Sequence, residues 1–132
     1  CIRDSKNYVL EKIDFCLGQV GLIEANNQPV ASLSHGDCRK LEIAMALASD
    51  AKLLLLDEPM AGLGPSETQE MISLLNKLKG KQTILLVEHD MDAVFALADR
   101  ISVLVSGEII ATGEPNNIRR DSKVQKAYLG EA

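Results

Sequence analysis

Two adjacent acids, Asp57 and Glu58, close a run of four leucines in LLLLDEP, and a histidine, His89, closes a later apolar run in LLVEHD. Neighbouring carboxylates repel, and a fold tolerates that most easily where a cation or a reacting water uses both. One acid can hold magnesium through its water, the second can take a proton from an attacking water, and a histidine beside them suits the set to phosphate-ester hydrolysis. Pro59 follows the pair and forbids simple continuation of a strand ladder, so the chain turns where the chemistry would be. A second phosphate-facing element stands upstream in LSHGDCRK. There Ser34 can cap a helix, Gly36 lets backbone approach a ligand closely, and the helix N-terminus carries partial positive charge.

These residues need elements to hold them. From Asp4 to about Val20, apolar residues at Val9, Ile13, Cys16, Leu17 and Val20 fall on one face of a helix. EANNQPVAS is a loop, and a second helix begins after Ser34 with Leu41, Ala44, Met45 and Ala48 on its inward stripe. AKLLLLD and QTILLVEH are continuously apolar, the pattern of parallel strands covered on both faces. Between them ETQEMISLLNKLKG is helical, with Met71, Leu75 and Leu78 inward and Gly80 as its stop. DMDAVFALAD is a short helix capped by Asp90, RISVLVS a third strand, and SGE turns the chain into IIATG as a hairpin. The tail holds one or two short helices, on which Arg119 and Arg120 read as a solvated face. Alternating strands and helices predict a parallel α/β sheet. In such sheets ligands bind beyond the carboxyl ends of the strands, where Asp57, Glu58 and His89 all fall. The change of composition near residue 50 predicts a small helical lobe, residues 1–50, before an α/β part, residues 51–132.

At 132 residues the chain has the size of one domain and can bury roughly two-thirds of its unfolded surface. No apolar stretch reaches the roughly 18 residues a bilayer crossing needs, and no leader pattern opens the chain, which reads as cytosolic. Three cysteines, Cys1, Cys16 and Cys38, with no CxxC pair suggest neither a disulfide framework nor a zinc site. A formal charge of -5 argues against a general nucleic-acid binder.

LSHGD resembles the signature motif of ATP-binding-cassette (ABC) ATPases, LLLLDEP their Walker B motif with its glutamate, AGLGP their D-loop and VEHD their switch histidine. Order and spacing agree along essentially the whole chain. Finer wording, such as LEIAMALA, AGLGPSET, LLVEHDMDAVFALADRI and the closing AYLGEA, is similar to the ATPases of branched-chain amino-acid importers and their amide and urea relatives. The resemblance implies a P-loop NTPase fold of the ABC type, with ATP and Mg2+ as cofactors. It implies Asp57 as the magnesium-side carboxylate, Glu58 as general base and His89 as a γ-phosphate contact. It implies Ser34, Gly36 and Asp37 as contacts to a nucleotide held mainly by an opposing subunit, with Ala61 to Gly64 along that dimer interface. Asp37 stands where the family usually has glutamine or glutamate, His35 where glycine or tyrosine is common, and Gly64 where many relatives have aspartate.

A complete ATPase of this kind needs GxxxxGK[ST], whose amides and lysine cradle the phosphates. The only Gly-Lys pair here is Gly80-Lys81, and Gln82 follows it. The chain therefore reads as the C-terminal half of an ABC ATPase, inactive alone. Its expected partners are the other half of its own domain, a second ATPase subunit, identical or related, and transmembrane permease subunits at the inner face of the plasma membrane. Two other readings stay open: an ABC-type head from DNA repair or translation, and a non-catalytic interaction fragment.

Overall fold

The computed structural model describes residues 2–129, so Cys1 and the last three residues of the closing AYLGEA lie outside the described residues. The chain forms two compact units, Cys1–Glu88 and His89–Ala132. Compactness thus divides the chain after its second strand, whereas the change from helical to α/β character comes just before Leu53.

In the first unit, α1 (Ile2–Val20) packs against α2 (His35–Ala48) after two short 3-10 turns. Of the predicted stripe on α1, Cys16 and Val20 are buried, but Val9 and Ile13 are exposed. The stripe needs a neighbour along its whole length, and α2 has 14 residues against the 19 of α1. Ser34 caps α2 as expected, its Oγ accepting the Asp37 N–H at 3.0 Å. The inward face is rotated from the predicted one. Gly36, Ile43 and Ala44 are buried, while Met45 is 68% exposed and Ala48 is exposed. Contacts with both α1 and α3 select this face, which the apolar spacing alone does not distinguish.

Strands β1 (Leu53–Asp57) and β2 (Thr83–Val87) pair in parallel, with Leu55 opposite Leu85 and Asp57 opposite Val87. Between them α3 (Pro65–Lys79) buries Met71, Leu75 and Leu78 as predicted, together with Ile72 and Leu74. Proline at its first position suits the helix start, where an N–H would lack a partner anyway. Gly80 ends the helix in right-handed geometry, φ -76°, so its left-handed freedom is not used there. The expectation of strands covered on both faces is corrected. Leu53, Leu55, Leu85 and Val87 are 48, 68, 58 and 55% exposed, while Leu54 is buried. Side chains alternate across a strand, and this sheet is two strands wide with one face inward among the described residues.

In the second unit, α4 (Met91–Leu97) starts at Asp90, whose carboxylate accepts the N–H groups of Asp92 and Ala93 at 3.0 and 3.2 Å. Strands β3 (Ile101–Val105) and β4 (Glu108–Gly113) form the predicted hairpin, turned by Ser106 and Gly107 at φ +50° and +85°. Both central residues have positive φ, the geometry that matches the twist of a two-residue hairpin. Among the described residues β3 pairs only with β4, antiparallel, so the expected parallel third strand is corrected. A two-residue turn brings its own partner alongside, whereas a parallel neighbour must come by a crossover. The tail folds as α5 (Pro115–Arg120) and α6 (Ser122–Val124), which runs into a π turn. Ile101, Val103, Ile118 and Val124 make the core of this unit, with Val94 and Phe95 against it. Arg119, expected merely as part of a solvated face, lies with its guanidinium carbon 4.4 Å from the centre of the Phe95 ring, a cation–π contact.

Candidate active site

The end of β1 is where the acidic pair emerges. Asp57 and Glu58 are both exposed, and the chain turns at once into buried Pro59 and Met60. Glu58 has φ +45°, the left-handed region that non-glycine residues enter at a cost of roughly 1–2 kcal/mol. Two backbone hydrogen bonds hold it there: its N–H donates to Val87 O at 2.8 Å, and its carbonyl accepts the Ala61 N–H at 3.0 Å. The first fastens Glu58 to the last residue of β2, and the second starts the tight loop through Gly62 and Gly64. Gly62 has φ +77°, a conformation that favours glycine. Strain of this kind gathers at positions whose side chain must point in a particular direction.

A second structural layer surrounds that loop. The first turn of α2 carries Ser34, exposed, and Gly36, buried. Glu67, in the first turn of α3, accepts the Gly64 N–H on Oε2 at 3.0 Å. A Cβ built on Gly36 would lie 2.7 Å from Glu67 Oε1, so a side chain there would have to displace the end of the Glu67 side chain. His35 Nε2 lies 3.4 Å from Ala61 O, and a Cβ on Gly62 would stand 3.2 Å from that nitrogen. Further along α2, Lys40 Nζ donates to Glu70 at 2.7 Å and to Asp37 at 3.4 Å. The Glu70 hydrogen bond raises the Lys40 pKa against the opposing effect of burial, and the charges of Glu70 and Asp37 add to it. Asp37 completes the cap through its backbone and pairs with Lys40 through its side chain, which offsets the repulsion an acid here would exert on an anion.

The first unit thus holds Ser34, Gly36 and Asp37 at the start of α2 and Asp57 and Glu58 at the end of β1, with His35 reaching from the one to Ala61 of the loop that follows the other. His89 opens the second unit, two residues beyond Val87, and is exposed. Two contributors escaped the sequence reading. Glu67 was legible, since proline and then glutamate after a helix-start glycine is an N-terminal signature. Glu88 was not: its Oε1 accepts the Met60 N–H at 3.0 Å and so ties the turn after the acidic pair to the end of β2. Only the strand pairing brings those two residues together.

Residues 4–61 match the family model described as "ABC transporter", and residues 108–132 match "Branched-chain amino acid ATP-binding cassette transporter". The chain belongs to the ATP-binding-cassette family. Its ABC relatives include the high-affinity branched-chain amino acid transport ATP-binding protein LivG of Escherichia coli, 42% identical over 98% of this chain and 52% of LivG. The corresponding protein BraF of Pseudomonas aeruginosa is 41% identical over the same shares. Among solved structures, the ADP conformation of the ATP-binding cassette MJ1267 superposes with a TM-score of 0.82 at 33% identity, over 92% of this chain and 50% of that one. The cbiO1 protein of Clostridium perfringens gives 0.82 at 29% identity, over 92% and 49%. The chain therefore spans about half the length of the relatives it matches, and its α/β architecture is that of a P-loop NTPase of the ABC type.

The donor set fits a magnesium ion that arrives with a nucleotide better than a resident ion. Asp57 and Glu58 are hard oxygen donors, and among the described residues no group of three or more His, Cys, Asp or Glu converges to form a cage. Magnesium keeps several waters and binds through one or two carboxylates together with substrate phosphates.

Proposed function

We propose that this chain is the C-terminal half of the ATP-hydrolysing subunit of an importer for branched-chain amino acids or related small solutes. The observation that carries the reading is the acidic pair at the end of β1, in register with Val87 and held by the Glu58 N–H bond to it. The names and coverage of LivG and BraF support the transport role. Residues 1–50 would be part of the helical signature subdomain and residues 51–132 the C-terminal part of the ATPase core.

In this reading Asp57 would hold Mg2+, and the ion when bound would supply charge neutralisation on the phosphates. Glu58 takes the proton of the attacking water, and its left-handed backbone sets the direction of the carboxylate. His89 contacts the γ-phosphate. Ser34, Gly36 and Asp37 face the nucleotide of a second ATPase subunit, the helix N-terminus and the serine hydroxyl offering donors to phosphate oxygen. The same reading puts the assembled protein at the cytoplasmic face of the plasma membrane, on permease subunits that carry the solute selectivity. No helix among the described residues is long and apolar enough to cross a membrane itself.

No GxxxxGK[ST] occurs in the 132 residues, so nothing in this chain cradles the phosphates around which Asp57 and Glu58 would work. The test is calorimetric titration of the chain with Mg-ATP, followed by phosphate release, alongside the full-length subunit. The expected outcome is neither tight binding nor turnover by the chain alone, and turnover by the full-length subunit that Glu58→Gln abolishes. Micromolar binding with turnover by the chain alone overturns the half-domain reading. Full-length turnover that survives Glu58→Gln overturns the assignment of the base.

A further inference from the structure

Residues 108–132 match a family model of their own, yet none of them belongs to the site described above. Those of α5 and α6 pack instead on the helix that follows His89. Asp90, the cap of α4, is the next residue after His89, so whatever holds α4 holds the backbone from which the imidazole projects. With seven residues, α4 is far below the roughly 12–15 at which an isolated helix is even marginal in water, so tertiary contacts must keep it in place. The tail supplies them. Ile118 of α5 and Val124 of α6 are buried, and Val94 and Phe95 of α4 pack against the cluster these two form with Ile101 and Val103. Arg119, exposed on α5, lays its guanidinium over the Phe95 ring, 4.4 Å from its centre. We infer that the C-terminal tail is a brace for α4, in which Arg119 is a positioning residue that acts through Phe95 to keep His89 aimed. This rests on the role proposed for His89 above.

The bonds within α4 fix its shape and not its direction. The Asp90 carboxylate accepts the N–H groups of Asp92 and Ala93, and Asp90 O accepts the Val94 N–H at 3.0 Å. All of these would survive a tilt of the helix. What a tilt must break are the side-chain contacts of Val94 and Phe95, and the successive residues Ile118 and Arg119 meet them with a buried aliphatic group and a cation. A cation over an aromatic face at an exposed site shifts an opening equilibrium by about two- to fivefold. Misplacing a catalytic group by about 1 Å can cost on the order of a hundredfold in rate, so a slight shift of α4 is enough for a measurable loss.

The experiment uses the full-length subunit with Arg119→Ala, Arg119→Lys, Phe95→Leu and the double variant Arg119→Ala with Phe95→Leu. Amide hydrogen exchange, steady-state ATPase kinetics and the imidazole NMR signals of His89 are the readouts. The informative amides are Val94 and Ala98, bonded to Asp90 O and Val94 O at 3.0 and 2.9 Å. Arg119→Ala is expected to speed exchange there about threefold, to leave the amides of β3 unchanged, to shift the His89 signals, and to lower kcat about threefold with KM for ATP within about twofold. Lysine keeps the cation, so Arg119→Lys is expected to recover exchange and kcat to within about 1.5-fold of wild type. In the Phe95→Leu background Arg119→Ala is expected to add nothing, because the ring it acts through is gone. Unchanged exchange in α4, equal acceleration across α4 and β3, or an Arg119→Ala effect undiminished by Phe95→Leu each overturns the brace. Faster exchange in α4 with kcat and the His89 signals unchanged overturns the link to His89. Turnover indifferent to His89→Ala would instead overturn the role proposed for His89, and the exchange data would still decide the brace.

Discussion

Replacing Glu58 by glycine, alanine and valine separates what its carboxylate does from what its backbone costs. All three remove the side chain, so differences among them report chiefly on the left-handed backbone at φ +45°. Alanine keeps the left-handed penalty of roughly 1–2 kcal/mol, and glycine escapes it. Glycine also gains freedom in the unfolded chain, which costs about 0.5–1 kcal/mol. The difference leaves Glu58→Gly more stable than Glu58→Ala by about 0.5–1 kcal/mol. Valine, whose branched Cβ fits this region worst, is expected about 1 kcal/mol below alanine. Urea denaturation of the three variants measures the order, and for a chain of this size each kcal/mol corresponds to about 4 °C in Tm. In the full-length subunit all three are expected to lose turnover, because none carries a carboxylate. A glycine variant less stable than the alanine variant by about 0.5 kcal/mol or more would refute the strained backbone. The bonds to Val87 and Ala61 would then not be what aims Glu58.

Two further outcomes are expected. Lys40 has its pKa raised in the folded chain, first by the hydrogen bond to Glu70, so its contribution to stability is fully present below the unfolded lysine value of about 10.4 and is lost as pH rises through the folded value. With Glu70 half exposed the contribution is about 0.5–1 kcal/mol, and Glu70→Gln is expected to flatten the fall in Tm above about pH 10, with an unchanged slope refuting the pairing. Met71→Ala, at a fully buried position on α3, is expected to cost about 2–5 kcal/mol, whereas Leu55→Ala on the bare face of the sheet costs under about 1 kcal/mol. Equal losses in urea denaturation would mean that the face of β1 carrying Leu55 is covered in solution.

Much of the fold was legible because it is local. Ser34 and Asp90 announce helix starts by side chains that bond their own next turn, Pro65 suits a first helical residue, and the hairpin between Val105 and Glu108 needs only two residues able to take positive φ. The apolar runs of LLLLD and TILLV marked strands for the same reason, and α3 showed its inward face in Met71, Leu75 and Leu78. What failed were inferences about which further faces a neighbour covers. Continuous apolar sequence does not state which face of β1 is covered, and the stripe on α2 did not reveal that α1 and α3 meet it on a different side, leaving Met45 in solvent.

The candidate site divides in the same way. The identity and order of Ser34, Gly36, Asp37, Asp57, Glu58 and His89 are properties of the sequence, since the chemistry of a hydroxyl, a carboxylate or an imidazole belongs to the residue wherever it stands. The left-handed turn at Glu58, the Glu88 bond to Met60 and the approach of Glu67 to Gly36 were decided by tertiary structure alone. Each joins residues far apart in the chain or holds one in a conformation it would not choose, and only packing of β1, β2, α2 and α3 supplies the contacts that offset that cost.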